Sequence, residues 1–387
     1  MKFFLIDKPP GVPHIALKLL RLVGVSETKS ERYRYVPMFV VFIAFIAVPK
    51  IILGYPNFAS SILGLAELFF QTNRFIGVLL LVLYNDTLFE LVRQSEYYTK
   101  HVLRESSPAA QYLITTDAQL AKITRLYLTA LLVPANFYSY SPIISTLWKY
   151  YNAHKNETSA PQFILHMEEN FYGLNIRETI SHYLIFGAVM VPTSFLCALV
   201  GTAKLVSILS LIKYCTIYFQ LVTLKLQEMA QKQSFAAREL KSVVRMHRDA
   251  LHCADLLTTL TAPIMLLQLV LCILVWSSML FYFTVSGFNT QFINLFVLFL
   301  FDTTETFGYC YLGHQLSNES ARIAFAVYEC NWESLTPKIR KDLQLALMRA
   351  QQPVGITAGK FCLMNMEQFA QVVKTTYSFF IVLRDQI

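Results

Sequence analysis

Apolar residues in this chain gather into seven runs long enough to cross a bilayer, at roughly 36–54, 63–85, 126–147, 179–203, 264–286, 292–315 and 363–383. An eighth stretch, 205–224, is also apolar enough to compete. Here, however, Ser207, Ser210, Lys213, Thr216, Gln220, Thr223 and Gln227 recur every three or four positions and draw a polar stripe along a helix. The four residues 201–204 are too few to reverse the chain and include no proline. The pattern therefore predicts one long helix over 179–231, about 80 Å at ~1.5 Å per residue. Residues 236–263 are predicted to run as a helix into the fifth span, and 316–352 to extend helically after the sixth. The ends of spans four to seven should then form a helical bundle outside the membrane. Pro13–Val25 places apolar residues on one helical face and Lys18 and Arg21 on another. It reads either as an amphipathic helix at the membrane interface or as one packed against the span ends.

Charge orients this layout. Segments 1–35, 86–125, 204–250 and 316–362 hold 26 Lys and Arg residues, and the alternate segments hold 4. By the positive-inside bias the rich side is the cytoplasm, which puts the N-terminus inside and the C-terminus outside. The expected fold is all-α, with seven transmembrane helices and a cytoplasmic helical anchor bundle. Its parts are a cytoplasmic amphipathic segment 1–35, helices one to four over 36–203, and a cytoplasmic extension 204–263. Helices five and six follow over 264–315, then anchor helices 316–362 and helix seven over 363–387. This orientation is opposite to that of a G-protein-coupled receptor.

Composition agrees: 15% of residues are charged, against about 25% in soluble domains, and 55% are hydrophobic. The net charge of +8 flanks spans, so it points to lipid headgroups rather than nucleic acid. No cleavable signal peptide is expected, because Asp7, Lys8 and Pro9-Pro10 interrupt the first apolar residues. All seven cysteines fall in spans or inner segments, so no disulfide framework and no metal site is expected. Of the sequons at Asn85, Asn156 and Asn318, only Asn156 lies on the outer side.

No enzyme motif is present, no cofactor is implied, and no inverted repeat suggests a transporter. Intramembrane charge is costly and is usually paired or functional. Arg74 in the second span and Asp302 and Glu305 in the sixth lie at matching depth, which predicts an ion pair. Glu67 is another acidic residue within a span. The outer halves of spans two, three, four and six hold Phe70, Phe137, Tyr138, Tyr183, Phe186, Met190, Phe296 and Phe299, with Asn73 and Ser141 among few polar groups. Such a lining suits a small, largely apolar ligand held by shape and one or two hydrogen bonds. In the seventh span Thr375, Ser378, Val382 and Asp385 follow i, i+3, i+7, i+10 and share one helix face. That stripe reads either as a packing seam or as a cation path with a hydrophobic constriction.

The last third carries a family resemblance. Phe307-Gly308-Tyr309-Cys310-Tyr311-Leu312-Gly313 precedes Tyr328-Glu329-Cys330-Asn331-Trp332, then Pro353-Val354-Gly355-Ile356-Thr357-Ala358-Gly359-Lys360-Phe361, then Lys374-Thr375-Thr376-Tyr377-Ser378-Phe379-Phe380-Ile381-Val382-Leu383-Arg384. Over about 140 residues this resembles the divergent, ligand-tuning insect odorant receptors, and not their co-receptor. The resemblance implies a non-selective cation channel gated by a volatile ligand and assembled as a heterotetramer with the common odorant co-receptor subunit. It also implies an address in the plasma membrane of the olfactory sensory neuron dendrite. Spans two to six would hold the ligand, and seventh helices would line the pore. Val382 would be the hydrophobic gate, with Phe380 and Ile381 as alternatives. Gustatory-type channels are similar, but Leu383-Arg384 stands where they carry Gln-Phe. A G-protein-coupled receptor remains the more distant reading.

Overall fold

A computed structural model describes residues 11–104, 108–156, 163, 165, 168–231, 237–330 and 336–384. The N-terminal helix α1 is His14–Leu22, followed by a short turn of helix, α2, Lys29–Arg32. Helix α3, Tyr35–Phe42, continues through two π-helical turns, Ile43–Ala47 and Pro49–Leu53. Pro49 cannot donate to the helix ladder, which accounts for the widened turn beside it. Then come α4 (Phe58–Leu83), α5 (Asn85–Leu103), α6 (Pro108–Asn156), α7 (Ile180–Gln231), α8 (Ala237–Ser286) and α9 (Thr290–Glu329). Helix α10 is Pro337–Ala350, a two-stranded hairpin pairs β1 (Thr357–Ala358) with β2 (Cys362–Leu363), and α11 is Met366–Arg384.

Each predicted span coincides with helix over most of its length. Ser30–Leu53, Phe58–Leu83, Ile180–Gln231 and Glu239–Ser286 are, among the described residues, helices long and apolar enough to cross a membrane. The protein is a multi-pass helical membrane protein. The stretch 180–231 is one unbroken helix, and α8 runs without interruption into the fifth span despite Pro263.

Helix α8 is the hub, packing on α4, α5, α7, α9, α11 and the hairpin. The hairpin turn places Gly359 and Lys360 at positive φ, which glycine adopts without steric cost. Gly359 N–H then donates to the Ala262 carbonyl (2.9 Å), tying the hairpin to α8 beside Pro263. Helix α1 packs into the bundle: Ile15, Ala16, Leu19, Leu20, Val23 and Val25 are buried, and its neighbour is α7. That decides between the two readings of this segment in favour of packing. Helix α5, split from α4 at Tyr84, was not legible as a separate element. The seventh helix begins at Met366 rather than 363, because Cys362–Leu363 is the second strand. All seven cysteines are free.

Candidate functional site

The middle of the bundle holds a knot of polar side chains from four helices. Lys204 of α7 is fully buried, and its Nζ lies 2.7 Å from Glu305 Oε1 of α9. The same ammonium donates to Asn73 Oδ1 of α4 (2.9 Å) and Gln268 Oε1 of α8 (3.1 Å). Asn73 Nδ2 also donates to Gln268 Oε1 (2.7 Å), and Gln268 Nε2 reaches Asp302 Oδ1 (3.1 Å) and Thr306 Oγ1 (3.0 Å). Tyr309 donates to Glu305 Oε1 (2.9 Å). A glycine makes the room: a Cβ at Gly77 would stand 2.5 Å from Lys204 Cδ.

The ion pair expected of Arg74 is therefore not formed. Glu305 takes its cation from Lys204, and among the described residues no ion pair joins Arg74 to Glu305 or Asp302. Depth placed the three residues on one level, but helix rotation turns Arg74 toward Gly201 of α7. Its guanidinium stacks over the Phe70 ring at 3.9 Å, and its Nε is buried without a hydrogen-bond partner. The missed residue is Lys204, which falls one position past the predicted end of the fourth span and so counted as a flanking charge. Gly77 and Gly201, small residues facing the two cations, were the available signal.

The aromatic candidates separate into groups. Tyr183, Phe186 and Met190 are buried along one face of α7. Phe186 and Met190 cluster with Phe171 and Ile176, and the Phe186 and Phe171 rings meet edge to face at 5.1 Å. Tyr183 contacts Phe163 at 5.3 Å and borders a groove of about 280 Å³ between α6 and α7, lined also by Ile143, Leu184, Gly187, Ala188, Val191 and Pro192. Phe296 stacks on Phe299 (5.9 Å), which meets Trp276 of α8 edge-on (5.3 Å). Phe70 belongs with Arg74, and Asn73 with Lys204. Ser141 is half-buried, and the side chains of Phe137 and Tyr138 lie outside the described residues.

The segment 168–177 straps the end of the first span to α4, and a second buried ion cluster fastens it. Lys50 Nζ, fully buried, lies 2.6 Å from Glu67 Oε2 of α4 and 3.1 Å from Glu169 Oε2 of the strap. Asn170 N–H adds a bond to the Gly54 carbonyl (3.0 Å), and Tyr172 donates to the Ala44 carbonyl. Glu67 thus has its partner in Lys50, which the sequence placed in a span without assigning it a role.

On α11, Val372 and Thr376 are buried against the bundle while Thr375, Ser378 and Val382 are exposed, Val382 at 60%. Phe379 is exposed too. Asp385 lies outside the described residues, as does the side chain of Asn156, at the end of α6. Asn85 is buried and donates to the Ser26 carbonyl (3.1 Å), so it is no glycan acceptor in this fold.

A long-helix bundle with buried ion clusters and exposed apolar faces defines a multi-pass membrane protein. The profile of the 7tm odorant receptor family matches residues 62–377, and the chain belongs to that family, a family of receptors and not of enzymes. It is 37% identical over 95 residues to odorant receptor 2a of Drosophila melanogaster, 31% over 169 residues to odorant receptor 45a of the same fly, and 25% over 178 residues to odorant receptor 10 of Aedes albopictus. These matches cover 24%, 43% and 46% of this chain and 24%, 44% and 48% of the relatives' own length, so less than half of each relative is spanned. The fold is similar to that of the insect olfactory receptor OR5 from Machilis hrabei. The TM-score is 0.76 at 12% identity for the eugenol complex, covering 97% of this chain and 98% of that one. For a second structure of the same receptor it is 0.74 at 13% identity, covering 96% of each chain.

Proposed function

We propose that this chain is an odorant-recognition subunit that binds a small, largely apolar volatile and gates a non-selective cation channel with the common co-receptor subunit. The family match over 62–377 carries this reading. The Machilis hrabei receptor of similar fold was solved in complex with eugenol, which supports a small-molecule ligand here. The buried aromatic face of α7 and the Phe296–Phe299–Trp276 stack would supply an apolar lining. The charge asymmetry supports an inside N-terminus, and the plasma membrane of a sensory dendrite would be the site of action. On α11 the exposed face of Thr375, Ser378 and Val382 would line the conduction path, leaving Val372 and Thr376 for packing. Asn156 would be the outer glycan acceptor.

The test is current recorded in cells expressing this chain with and without the co-receptor. Volatile-evoked cation current should require both chains, and Val382→Ser should raise resting leak while Thr376→Ser does not. Robust volatile-gated current from this chain alone would defeat the heteromeric reading. Epitope tags at both termini, probed on intact cells, should expose only the C-terminal tag.

A further inference from the structure

Arg74 is a cation inside a predicted span with no anion of its own. Of the carboxylates close enough to act on its charge, Glu305 is committed to Lys204 and Tyr309, while Asp302 accepts from Gln268 through Oδ1 and leaves its buried Oδ2 without a hydrogen-bond partner, Arg74 included. Among the described residues the guanidinium makes no ion pair and no hydrogen bond, and Nε is buried. A guanidinium presents five donors in a planar fork, and leaving them unmet within a membrane is costly. Mere packing does not explain the residue, since a neutral side chain would fill the same space at lower cost.

The surroundings are shaped around the flat face and edge of this group. The Phe70 ring, 2% exposed, lies 3.9 Å from the guanidinium carbon and holds one face. On the α7 side the wall is Gly201, where a Cβ would stand 2.7 Å from Nε and 3.0 Å from Cζ. Tyr127 of α6 and Cys197 of α7 are also neighbours of the guanidinium. The residue as a whole is only half-buried, so part of it stays open to an incoming molecule. A stacked, sterically cleared guanidinium with unused donors is the arrangement that recognises an acceptor-bearing ligand.

We propose that Arg74 is the polar anchor of the ligand site, and that the chain's ligands are small apolar molecules bearing a hydrogen-bond acceptor, namely a carbonyl, ester or carboxylate. This rests on the receptor reading and narrows its ligand class. Arg74 lies well inside α4, which runs 26 residues from Phe58 to Leu83. That is too deep for a lipid phosphate to reach, so the acceptor belongs to a small ligand.

The test compares acceptor probes, heptanal and methyl hexanoate, with heptane on cells expressing this chain and the co-receptor, with surface labelling alongside. Arg74→Met should raise the half-maximal concentration for the acceptor probes roughly 10- to 100-fold and leave heptane within about threefold. Gly201→Ala, which crowds the guanidinium while keeping its charge, should produce a smaller shift of the same selectivity, and it decides the matter if Arg74→Met fails to reach the surface. Unchanged acceptor potency in a surface-expressed variant, or equal losses for acceptor and heptane, would overturn the anchor alone. A wild-type chain that reaches the surface with the co-receptor and answers none of the probes would overturn the receptor reading, and the anchor with it.

Discussion

The two halves of α7 are both apolar enough in sequence to pass for spans, yet they sit in quite different surroundings. From Ile180 to Ala203 the buried positions are chiefly Tyr183, Phe186, Gly187, Met190, Thr193, Cys197, Val200 and Gly201, a single stripe at helical spacing. From Lys204 onward burial goes nearly all the way round, and Tyr214, Cys215, Thr216, Ile217, Tyr218 and Phe219 are buried in succession. The first half has one face in protein and leaves Leu184 and Ile185 exposed for lipid. The second half is the axis of a protein core. Its polar groups are spent on neighbours rather than on water: Ser207 donates to the Ala16 carbonyl, Tyr214 to Asp117 Oδ1 (2.6 Å), and Gln220 to Glu319 Oε1 (3.0 Å). Apolar composition thus serves two solvents, and the polar pattern tells them apart.

Lys204 sits where the halves meet, and removing it should have the largest effect. Lys204→Met would leave Glu305 buried without its cation, costing about 3–5 kcal/mol. Surface labelling and thermal unfolding of purified protein should both fall, and adding Glu305→Gln should recover part of the loss. A double variant no more stable than the single one would show that the two side chains are not coupled.

Packing should separate the halves next. Ile217→Ala, in the fully enclosed half, should cost about 2–5 kcal/mol, while Leu184→Ala on the open face should stay within about 0.5 kcal/mol. Comparable losses at both sites, measured by thermal unfolding, would erase the contrast between the halves.

A pH effect belongs to the enclosed half. His247 of α8 is 6% exposed, with its Nε2 unpartnered, and burial, aided by the Arg349 charge, lowers its pKa to about 4. Between about pH 6.5 and 4 the unfolded chain binds a proton that the folded chain refuses, so stability falls as pH falls through that window. The loss should be no more than about 3.5 kcal/mol, and His247→Gln should flatten this part of the stability profile. The smallest effect is expected away from both halves, at the exposed pair Arg32–Asp86 (3.1 Å), where Asp86→Ala should change unfolding stability by less than about 1 kcal/mol.

Local patterns were enough to place the long helices. The polar stripe from Ser207 to Gln227 identified 179–231 as a single helix, and the structure has Ile180–Gln231. Helix-period patterns depend on residues three or four apart, so they survive without knowledge of neighbours. The hairpin before α11 and the break at Tyr84 were not legible, because both depend on a few residues whose conformation is set by docking onto α8 and the rest of the bundle.

Charge pairing was only half legible. That Arg74, Asp302, Glu305 and Glu67 lie inside spans follows from counting residues. Which of them meet does not, because depth is a one-dimensional quantity and contact also requires helix rotation. The rotation of α4 and α7, set by packing at Gly77 and Gly201, brings Lys204 to Glu305 and turns Arg74 aside. Residue order alone therefore established the long helices, their approximate lengths and the uneven charge on their two sides, since each is a property of neighbours along the chain. Which charges within the spans are neutralised, and which one is left with donors to spare, was settled by packing between helices far apart in sequence.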